Sequence, residues 1–325
     1  MKRIIFFCPA NQHPTGGVKI IYNHVECLTS LGANAFVFHP DNPDFTCDWF
    51  AHNTQMMRNF DIDPLRDFII LPEFWAATLG EFFLTPGMPR FGVFVQGGYL
   101  THPHLLELRN LYSAVYSAAR LVVTISEDTT QIVRLNYPQI ASDRIVRVQW
   151  SINDRFMGSN RPIGAKPYRT IAYMPRKMKD HSLRVIGALM QHLPGSWTIM
   201  PIENVSEADV AAMLSKSDIF LSFNELEGLP LPPMEAALAG NLVIGYTGQG
   251  GNEYWIAPNF IEVSQGDIRN FVTATLEAVQ QFDNQAFSYK DLQRGIKTLR
   301  EMYSPNVERE KLRILMAKIN GTFSD

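Results

Sequence analysis

The sequence predicts an α/β protein built from two doubly wound domains. Short apolar runs without polar alternation recur along the chain, and most are separated by segments with the apolar period of an amphipathic helix. Strands of this kind, joined through helices, are typical of a parallel sheet that is covered on both faces. A length of 325 residues suits two such domains better than one.

The first half of the chain alternates strands with helices. After the first strand, residues 17–31 carry apolar side chains at helical spacing, and residues 105–119 repeat this pattern before the fifth strand. The predicted strands are Ile4–Cys8, Ala35–His39, Phe68–Leu71, Gly92–Gln96, Leu121–Ser126 and Ile145–Val148.

A polar segment rich in glycine and proline interrupts this rhythm after residue 150. We therefore predict an N-terminal domain over residues 1–153, a linker over 154–167 and a C-terminal domain over 168–325. The second domain has predicted strands Thr170–Met174, Trp197–Pro201, Ile219–Ser222, Leu242–Tyr246 and Phe260–Val263. Its predicted helices are Ser182–His192, Glu207–Leu214, a short helix after Pro230 and two final helices, the last beginning at Pro305.

Charge, cysteine content and the lengths of apolar runs limit which partners and which cellular compartment are expected. The net charge is −3, and Lys and Arg do not form blocks, which argues against nucleic acid as the main partner. The three cysteines lack CxxC spacing, which indicates reduced thiols of a cytoplasmic protein. The apolar run Ile4–Cys8 is too short for a signal peptide, and no run approaches the ~20 residues that span a bilayer.

The most informative segment contains two carboxylates eight residues apart, Glu227 and Glu235. We place the first in a Gly/Pro loop after a strand and the second in the opening turn of a helix. Pro232 and Pro233 suit that turn, where their missing N–H groups would have no intrahelical partner. Gly228 permits close approach of the backbone to a ligand. Both carboxylates are thus placed to face one ligand.

This segment resembles the E-x7-E motif of retaining glycosyltransferases with the GT-B fold, in particular family GT4. The order downstream is also similar, with Gly240, an apolar strand and the turn Gly250-Gly251-Asn252-Glu253, although Leu242 stands where the family usually has proline. The resemblance implies two Rossmann-like domains facing across a cleft, with the nucleotide-sugar donor on the C-terminal domain. The last helix, 305–320, is then a candidate to cross back to the N-terminal domain.

The resemblance also implies roles for the site residues. Glu235 would bind the ribose hydroxyls, and Glu227 would contact the transferred sugar without acting as an assigned nucleophile. Further candidate donor-binding positions are Gly228, Leu229 and Gly251.

A basic segment, Arg176-Lys177-Met178-Lys179, follows the first strand of the second domain. In relatives, an Arg and a nearby Lys at this place stabilise the departing diphosphate. The resemblance therefore assigns Arg176 and Lys179 to catalysis and Lys177 to donor binding. The spacing is tighter than the usual pattern, so the choice of lysine stays open, and a solvated basic loop is the alternative.

The N-terminal domain offers weaker signals. Gly16 and Gly17 precede a helix and resemble the family's Gly-rich loop, which lies against the donor phosphate or the acceptor; ordinary turn punctuation is the alternative. Gln96, at a strand end, is a candidate for the sugar or acceptor pocket. Further candidates for this pocket are Tyr99, His102 and His104, while a merely exposed loop histidine is the alternative for the last two.

A metal requirement is not expected. Asp61-Ile62-Asp63 matches the metal-binding DxD of the other large glycosyltransferase fold, but its position before Pro64 favours a helix N-cap. The resemblance implies that the nucleotide-sugar donor is used without a metal ion and that the enzyme requires no other cofactor.

Together these features predict a glycosyltransferase that moves a sugar from a nucleoside-diphosphate sugar to a glycan, lipid-linked or other acceptor, with retention of configuration. Such an acceptor would be compatible with peripheral contact at the inner face of a membrane. Three alternatives stay open: an inactive nucleotide- or glycan-binding relative, a sugar-nucleotide epimerase on the same fold, and an enzyme that glycosylates nucleic acid.

Overall fold

The chain folds into two compact units. The computed structural model describes residues 2–102, 106–152, 154–157, 167–286 and 288–323. Unit 1 comprises Met1–Ser151 with Pro305–Asp325, and unit 2 comprises Ile152–Ser304.

The strands and helices alternate along most of the chain. The strands are β1 (Arg3–Phe7), β2 (Asn34–Phe38), β3 (Met56–Met57), β4 (Asp67–Pro72), β5 (Arg90–Val95), β6 (Leu121–Thr124), β7 (Ile145–Arg147), β8 (Thr170–Tyr173), β9 (Thr198–Pro201), β10 (Ile219–Glu227), β11 (Leu242–Gln249) and β12 (Phe260–Glu262). The helices are α1 (Gly16–Ser30), α2 (Gly80–Phe83), α3 (Arg109–Ala118), α4 (Glu127–Asn136), α5 (Lys179–His192), α6 (Glu207–Leu214), α7 (Leu231–Leu238), α8 (Ile268–Asp283), α9 (Tyr289–Met302) and α10 (Pro305–Gly321).

Unit 1 contains a seven-stranded sheet with the order β3-β2-β1-β4-β5-β6-β7, and every pairing is parallel. Its central strands are buried, in agreement with their apolar, non-alternating sequences. All six strands predicted for this half are present, with ends that differ by at most two residues. Strand β3 was not predicted, because two residues are too few to show an apolar period.

Unit 2 contains a five-stranded parallel sheet with the order β12-β11-β10-β8-β9. The predicted strands are again present, but β10 and β11 continue well past their predicted ends. The prediction of two final helices was wrong, because three follow β12 in the described chain. The side chains of Asp267 and Ser288 cap α8 and α9 separately, so this stretch forms two helices before α10.

Each sheet has a topological switch point. In unit 1 the chain runs outward from β1 to β2 and β3, and β4 then pairs on the other side of β1. In unit 2 the chain runs from β8 to β9, and β10 then pairs on the other side of β8. Ligands of open α/β sheets bind outside the carboxyl ends of the strands at such points. The residues that follow β1, β4, β8 and β10 are therefore the first candidates for a site.

Helix α10 belongs to unit 1. Its buried Glu308 accepts hydrogen bonds from the backbone N–H (2.9 Å) and the hydroxyl (2.5 Å) of Ser151, and it lies 3.3 Å from His24 Nε2 in α1. Burial lowers the pKa of His24 to about 3 and raises the pKa of Glu308. Burial therefore disfavours the charged forms of both side chains. The contacts of Glu308 with Ser151 and His24 hold α10 against the rest of unit 1. Within the described ranges, no helix combines the length and the apolar character needed to cross a membrane.

Gly245 in β11 tests how tightly the unit 2 sheet is built. Its φ is 134°, and an added Cβ would lie 2.3 Å from the Ser222 carbonyl oxygen and 2.5 Å from the Phe271 ring. We expect Gly245→Ala to lower the free energy of unfolding by about 2–5 kcal/mol, measured by urea denaturation. Gly187→Ala, at an open position in α5, is the control and should be neutral or stabilise by up to about 1 kcal/mol. Equal effects of the two substitutions would contradict this packing.

Candidate active site

Glu227 is the last residue of β10. The prediction that it lies in a loop was wrong, because the parallel pairing with β11 continues beyond the apolar part of the strand. The register runs from Ile219 opposite Leu242, shifts after Asn224, and ends with Glu227 opposite Gln249. Backbone pairing depends on N–H and C=O groups, so a strand can extend through residues whose side chains show no apolar pattern. The carboxylate is consequently fixed at the carboxyl end of a central strand.

The backbone beyond β11 passes very close to the start of the motif. A Cβ on Gly250 would lie 1.9 Å from the Gly228 carbonyl oxygen, so this position accepts only glycine without a backbone shift. Gly251, predicted as a donor-binding residue, is less constrained, because its Cβ would lie 3.3 Å from the Pro230 side chain. Gln249, the last residue of β11, adopts φ 68° and ψ −63°. A non-glycine residue held in this conformation stores strain beside Glu227.

Glu235 lies in the second turn of α7. The prediction of the opening turn was wrong, because the helix begins at Leu231 and its first turn contains no acidic residue. Pro232 and Pro233 do occupy that first turn, as predicted. Since the macrodipole acts mainly on the first turn, helix stabilisation does not account for a glutamate at position 235.

Tyr254 organises the acidic side of this site. Its ring is buried and its hydroxyl donates to the Pro230 carbonyl oxygen (2.6 Å), which ties the turn after β11 to the start of α7. Burial, followed by the charges of nearby groups, raises the pKa of Tyr254 well above its ordinary value. Those groups are Tyr303, Glu227, Glu253 and Glu235. Three carboxylates of the motif region therefore lie near one buried phenol, which the sequence did not mark as part of the site.

The basic segment lies at the end of β8, the strand that pairs with β10. The Lys177 ammonium contacts Glu227 Oε1 in a hydrogen-bonded ion pair. Arg176 and Lys179 are exposed, and Lys179 is the first residue of α5. Two cations thus project to solvent beside a third that holds the motif carboxylate. An ordinary solvated loop describes the first two, but it does not describe Lys177.

A small crevice opens at the unit 2 switch point, between the ends of β8 and β10 and the first turn of α7. Lys177, Asn224 and Pro232 are among the residues that line it. Asn224 is buried and donates to Ser222 Oγ (2.8 Å), which in turn donates to the Tyr246 carbonyl oxygen (2.8 Å). This chain of hydrogen bonds fixes the floor of the crevice.

Unit 1 presents its candidates at its own switch point. Gly16 and Gly17 form the first turn of α1; they do not form a loop before the helix, because α1 begins one residue earlier than predicted. The Gln96 side chain, just after β5, donates to the Gly17 carbonyl oxygen (3.3 Å). A Cβ at Gly17 would lie 3.3 Å from Gln96 Oε1, so glycine allows this approach. Two predicted residues from distant parts of the sequence are therefore adjacent, while their roles stay predictions.

Glu73 was missed by the sequence analysis. It follows β4 and is only 2% exposed, and its Oε1 accepts a hydrogen bond from the Gly97 N–H (2.7 Å). Burial raises the pKa of Glu73 to about 7, against the lowering effect of the backbone N–H groups of Glu73, Gly97 and Gln96. The carboxyl group therefore fixes the loop that carries Gln96. The only signal in the sequence was its position after an apolar strand, and the switch point became visible only from the strand order.

The other loop candidates have less specific surroundings. The Tyr99 hydroxyl donates to Asp128 Oδ1 (3.1 Å), and Ser126 Oγ caps α4 by accepting from the Thr129 N–H (3.0 Å). His102 is exposed, and His104 lies outside the described residues.

The DxD-like segment forms a turn. Asp63 accepts a hydrogen bond from the Leu65 N–H (2.9 Å) and pairs with Arg66, directly before β4. The predicted helix N-cap was wrong, because Asp63 caps a turn that leads into a strand. Among the residues that the structure describes, no cluster of three or more His, Cys, Asp or Glu side chains could hold a metal ion.

Known proteins provide independent comparisons. No protein-family model matches the sequence. An alpha-1,6-glucosyltransferase from Actinobacillus pleuropneumoniae serotype 7 (strain AP76) is 22% identical over 307 residues, which cover 92% of this chain and 90% of the relative.

Solved structures resemble the whole chain. Sucrose-phosphate synthase from Thermosynechococcus elongatus matches with a TM-score of 0.73 and 12% identity, over 99% of this chain and 100% of that one. Anabaena HepE in complex with UDP matches with a TM-score of 0.70 and 9% identity, over 98% and 100%. The catalytic domain of starch synthase IV from Arabidopsis thaliana, bound to ADP and acarbose, matches with a TM-score of 0.61 and 10% identity, over 100% of this chain and 99% of that one. The chain has the α/β GT-B fold of these glycosyltransferases, which confirms the predicted fold class.

The contact at Gly250 predicts a sharp difference between the two glycines of the turn. Gly250→Ala must displace the Glu227–Gly228 backbone, whereas Gly251→Ala requires only a small shift of the Pro230 ring. We expect the first substitution to cost about 2–4 kcal/mol of unfolding free energy and the second less than about 1 kcal/mol. Thermal and urea unfolding of both variants measure this difference. A Gly250→Ala variant as stable as wild type would show that the close approach is wrong.

Glu73 predicts a pH-dependent stability. Its pKa is raised from 4.5 to about 7, so below pH 4.5 both states are protonated and between these values only the folded state holds the proton. The free energy of unfolding contributed by this group therefore falls as pH rises, by about 3 kcal/mol in total. Urea unfolding should show wild type losing about this much relative to Glu73→Gln between pH 4.5 and 8.

The control for Glu73 is Glu81→Gln, which alters an exposed carboxylate in α2. Its stability relative to wild type should not depend on pH. If the difference in unfolding free energy between wild type and Glu73→Gln were also independent of pH, the raised pKa of the buried Glu73 carboxyl group would be contradicted.

Proposed function

We propose that the chain is a hexosyltransferase resembling family GT4, which transfers a sugar from a nucleoside-diphosphate sugar to a glycan or lipid-linked acceptor with retention of configuration. The observation that carries the proposal is the Lys177–Glu227 ion pair at the unit 2 switch point, beside α7, which carries Glu235 in its second turn. Such a point is the ordinary ligand crevice of an open α/β sheet. Carboxylates and cations that meet there suit a ligand with both hydroxyl groups and phosphates.

In this proposal the carboxylates hold the two sugar rings of the donor. Glu235 accepts hydrogen bonds from the ribose hydroxyls, and Glu227 accepts them from the transferred sugar. An ionised carboxylate suits both tasks, because it accepts several hydrogen bonds and bonds to charged acceptors are the strong ones. Gly228, Leu229 and Gly251 lie along the same donor.

The cations act on the leaving group. As the bond to the sugar breaks, negative charge grows on the diphosphate, and positive groups aimed at it lower the barrier. We assign this role to Arg176 and Lys179, which are exposed at the end of β8 and the start of α5. Lys177 contributes to donor binding from the same segment.

The comparisons guide the choice of donor. The bacterial relative is an alpha-1,6-glucosyltransferase, and HepE structures contain UDP or UDP-glucose. We therefore propose UDP-glucose as the first donor to test. For the acceptor we propose the unit 1 edge that carries Gly16, Gly17 and Gln96.

Nucleotide binding tests the donor site. We expect wild type to be stabilised thermally by at least one nucleotide or nucleotide sugar from a panel of UDP, GDP, ADP and dTDP forms. Glu235→Ala should weaken binding by roughly 10- to 100-fold in calorimetry, the equivalent of one or two strong hydrogen bonds. Glu277→Ala, at an exposed position in α8, is the matched control and should bind as wild type does.

The outcomes separate the alternatives. Binding of no nucleotide would overturn the function, and full affinity in Glu235→Ala would overturn the ribose assignment alone. Nucleoside diphosphate released only with an acceptor establishes a transferase, and the anomeric configuration of its product, read by NMR, decides retention. Binding without turnover would instead indicate an inactive relative, and an altered sugar that stays attached would indicate an epimerase.

A further inference from the structure

Two groups that the proposed donor site needs are joined to each other. The Lys177 ammonium is hydrogen-bonded to the Glu227 carboxylate, and their side chains are 26% and 32% exposed. Lys177 follows β8 and Glu227 ends the neighbouring strand β10, and Lys177 also lines the switch-point crevice. In this state the ammonium is not available to a phosphate, and the carboxylate has one oxygen occupied by a cation.

A diphosphate would compete for the ammonium. It carries more charge than a carboxylate, and Arg176 and Lys179 on either side of Lys177 draw it to the same segment. Lysine is a flexible point-charge donor on a four-carbon stem, so its head group can move over several ångströms while its backbone stays in place. Partial exposure means that this movement does not require the core to open.

We propose that Lys177 is an exchanged counter-ion: it pairs with Glu227 before the donor binds and transfers to the donor's diphosphate on binding, which frees Glu227 for the sugar hydroxyls. This inference rests on the proposed function. It adds an energetic coupling between binding of the donor's diphosphate and binding of its sugar. A nucleoside diphosphate without a sugar must break the pair and leaves Glu227 without a replacement partner. A nucleotide sugar supplies that partner.

The exchange gives the site a preference for substrate over product. Once the sugar has been transferred, the carboxylate of Glu227 competes again for Lys177 and weakens the hold on the remaining nucleoside diphosphate. Glu227 thus opposes binding of the free diphosphate while it supports binding of the nucleotide sugar. A residue that only contacts the sugar would have no effect on the free diphosphate.

Calorimetric titration with UDP tests this distinction. Because the pair no longer has to be broken, Glu227→Gln should bind UDP about three- to tenfold more tightly than wild type, the range expected for loss of a partly exposed ion pair. Lys177→Gln should bind UDP at least about fivefold more weakly. In the Lys177→Gln background, adding Glu227→Gln should no longer tighten UDP, which is the signature of direct coupling in a double-mutant cycle.

Glu225→Gln is the matched control. It removes the same charge from β10 two residues earlier, at an exposed position. Its UDP affinity should change by less than about twofold, because exposed charges are screened by solvent and salt. An equal gain in Glu225→Gln would show that general repulsion explains the effect, which overturns the exchange.

A second titration with UDP-glucose completes the test. The ratio of the dissociation constant for UDP to that for UDP-glucose should fall in Glu227→Gln. The substitution strengthens binding of the diphosphate and weakens the hydrogen bonds to the sugar. Unchanged or weaker UDP binding in Glu227→Gln, with wild type binding UDP, overturns the exchange and leaves the proposed function standing. If UDP is not the nucleotide that the panel selects, the selected diphosphate and its sugar replace it. Failure of every nucleotide to bind wild type overturns both proposals.

Discussion

The extended pairing of β10 with β11 is the constraint on which the candidate site depends. It carries the ordered backbone beyond the apolar core to Glu227 and brings Gly250 against the Gly228 carbonyl. Because the pairing with β11 continues to Glu227 itself, this strand end moves little and its carboxylate keeps its direction. The strained backbone of Gln249 is tolerated because the surrounding sheet and turn leave it no alternative.

Around that fixed carboxylate, unit 2 places charges of both signs at one switch point. Lys177 comes from the end of β8, and Glu235 comes from the second turn of α7. Tyr254 is buried near these acidic groups and ties the turn after β11 to the start of α7 through the Pro230 carbonyl oxygen. Each of these charges is carried differently: Glu227 on a strand end, Lys177 on a flexible side chain and Glu235 on a helix. Only the lysine can change partners without a change of backbone.

Unit 1 fixes a loop at its own switch point through a buried carboxyl group. Glu73, buried behind the switch point, fixes the loop after β5 through the Gly97 N–H, and Gln96 on that loop bonds to Gly17 at the start of α1. A buried carboxyl with a raised pKa holds backbone donors while carrying less charge than an exposed carboxylate at the same pH. This carboxyl group thus makes the loop after β5 rigid. Because its pKa is raised, it lowers the free energy of unfolding increasingly as the pH rises.

Local patterns in the sequence were sufficient to predict the alternation of strands and helices and the parallel sheets, and to select Glu227, Glu235 and the basic segment as site candidates, because apolar period and motif spacing are local properties. The remaining features depend on how distant parts of the chain pack. The ends of β10 and β11 depend on backbone pairing, which leaves no apolar pattern. The Lys177–Glu227 pair, the place of Tyr254 and the role of Glu73 depend on strand order. Strand order follows from which surfaces pack together across the whole chain, and no local window of residues encodes it.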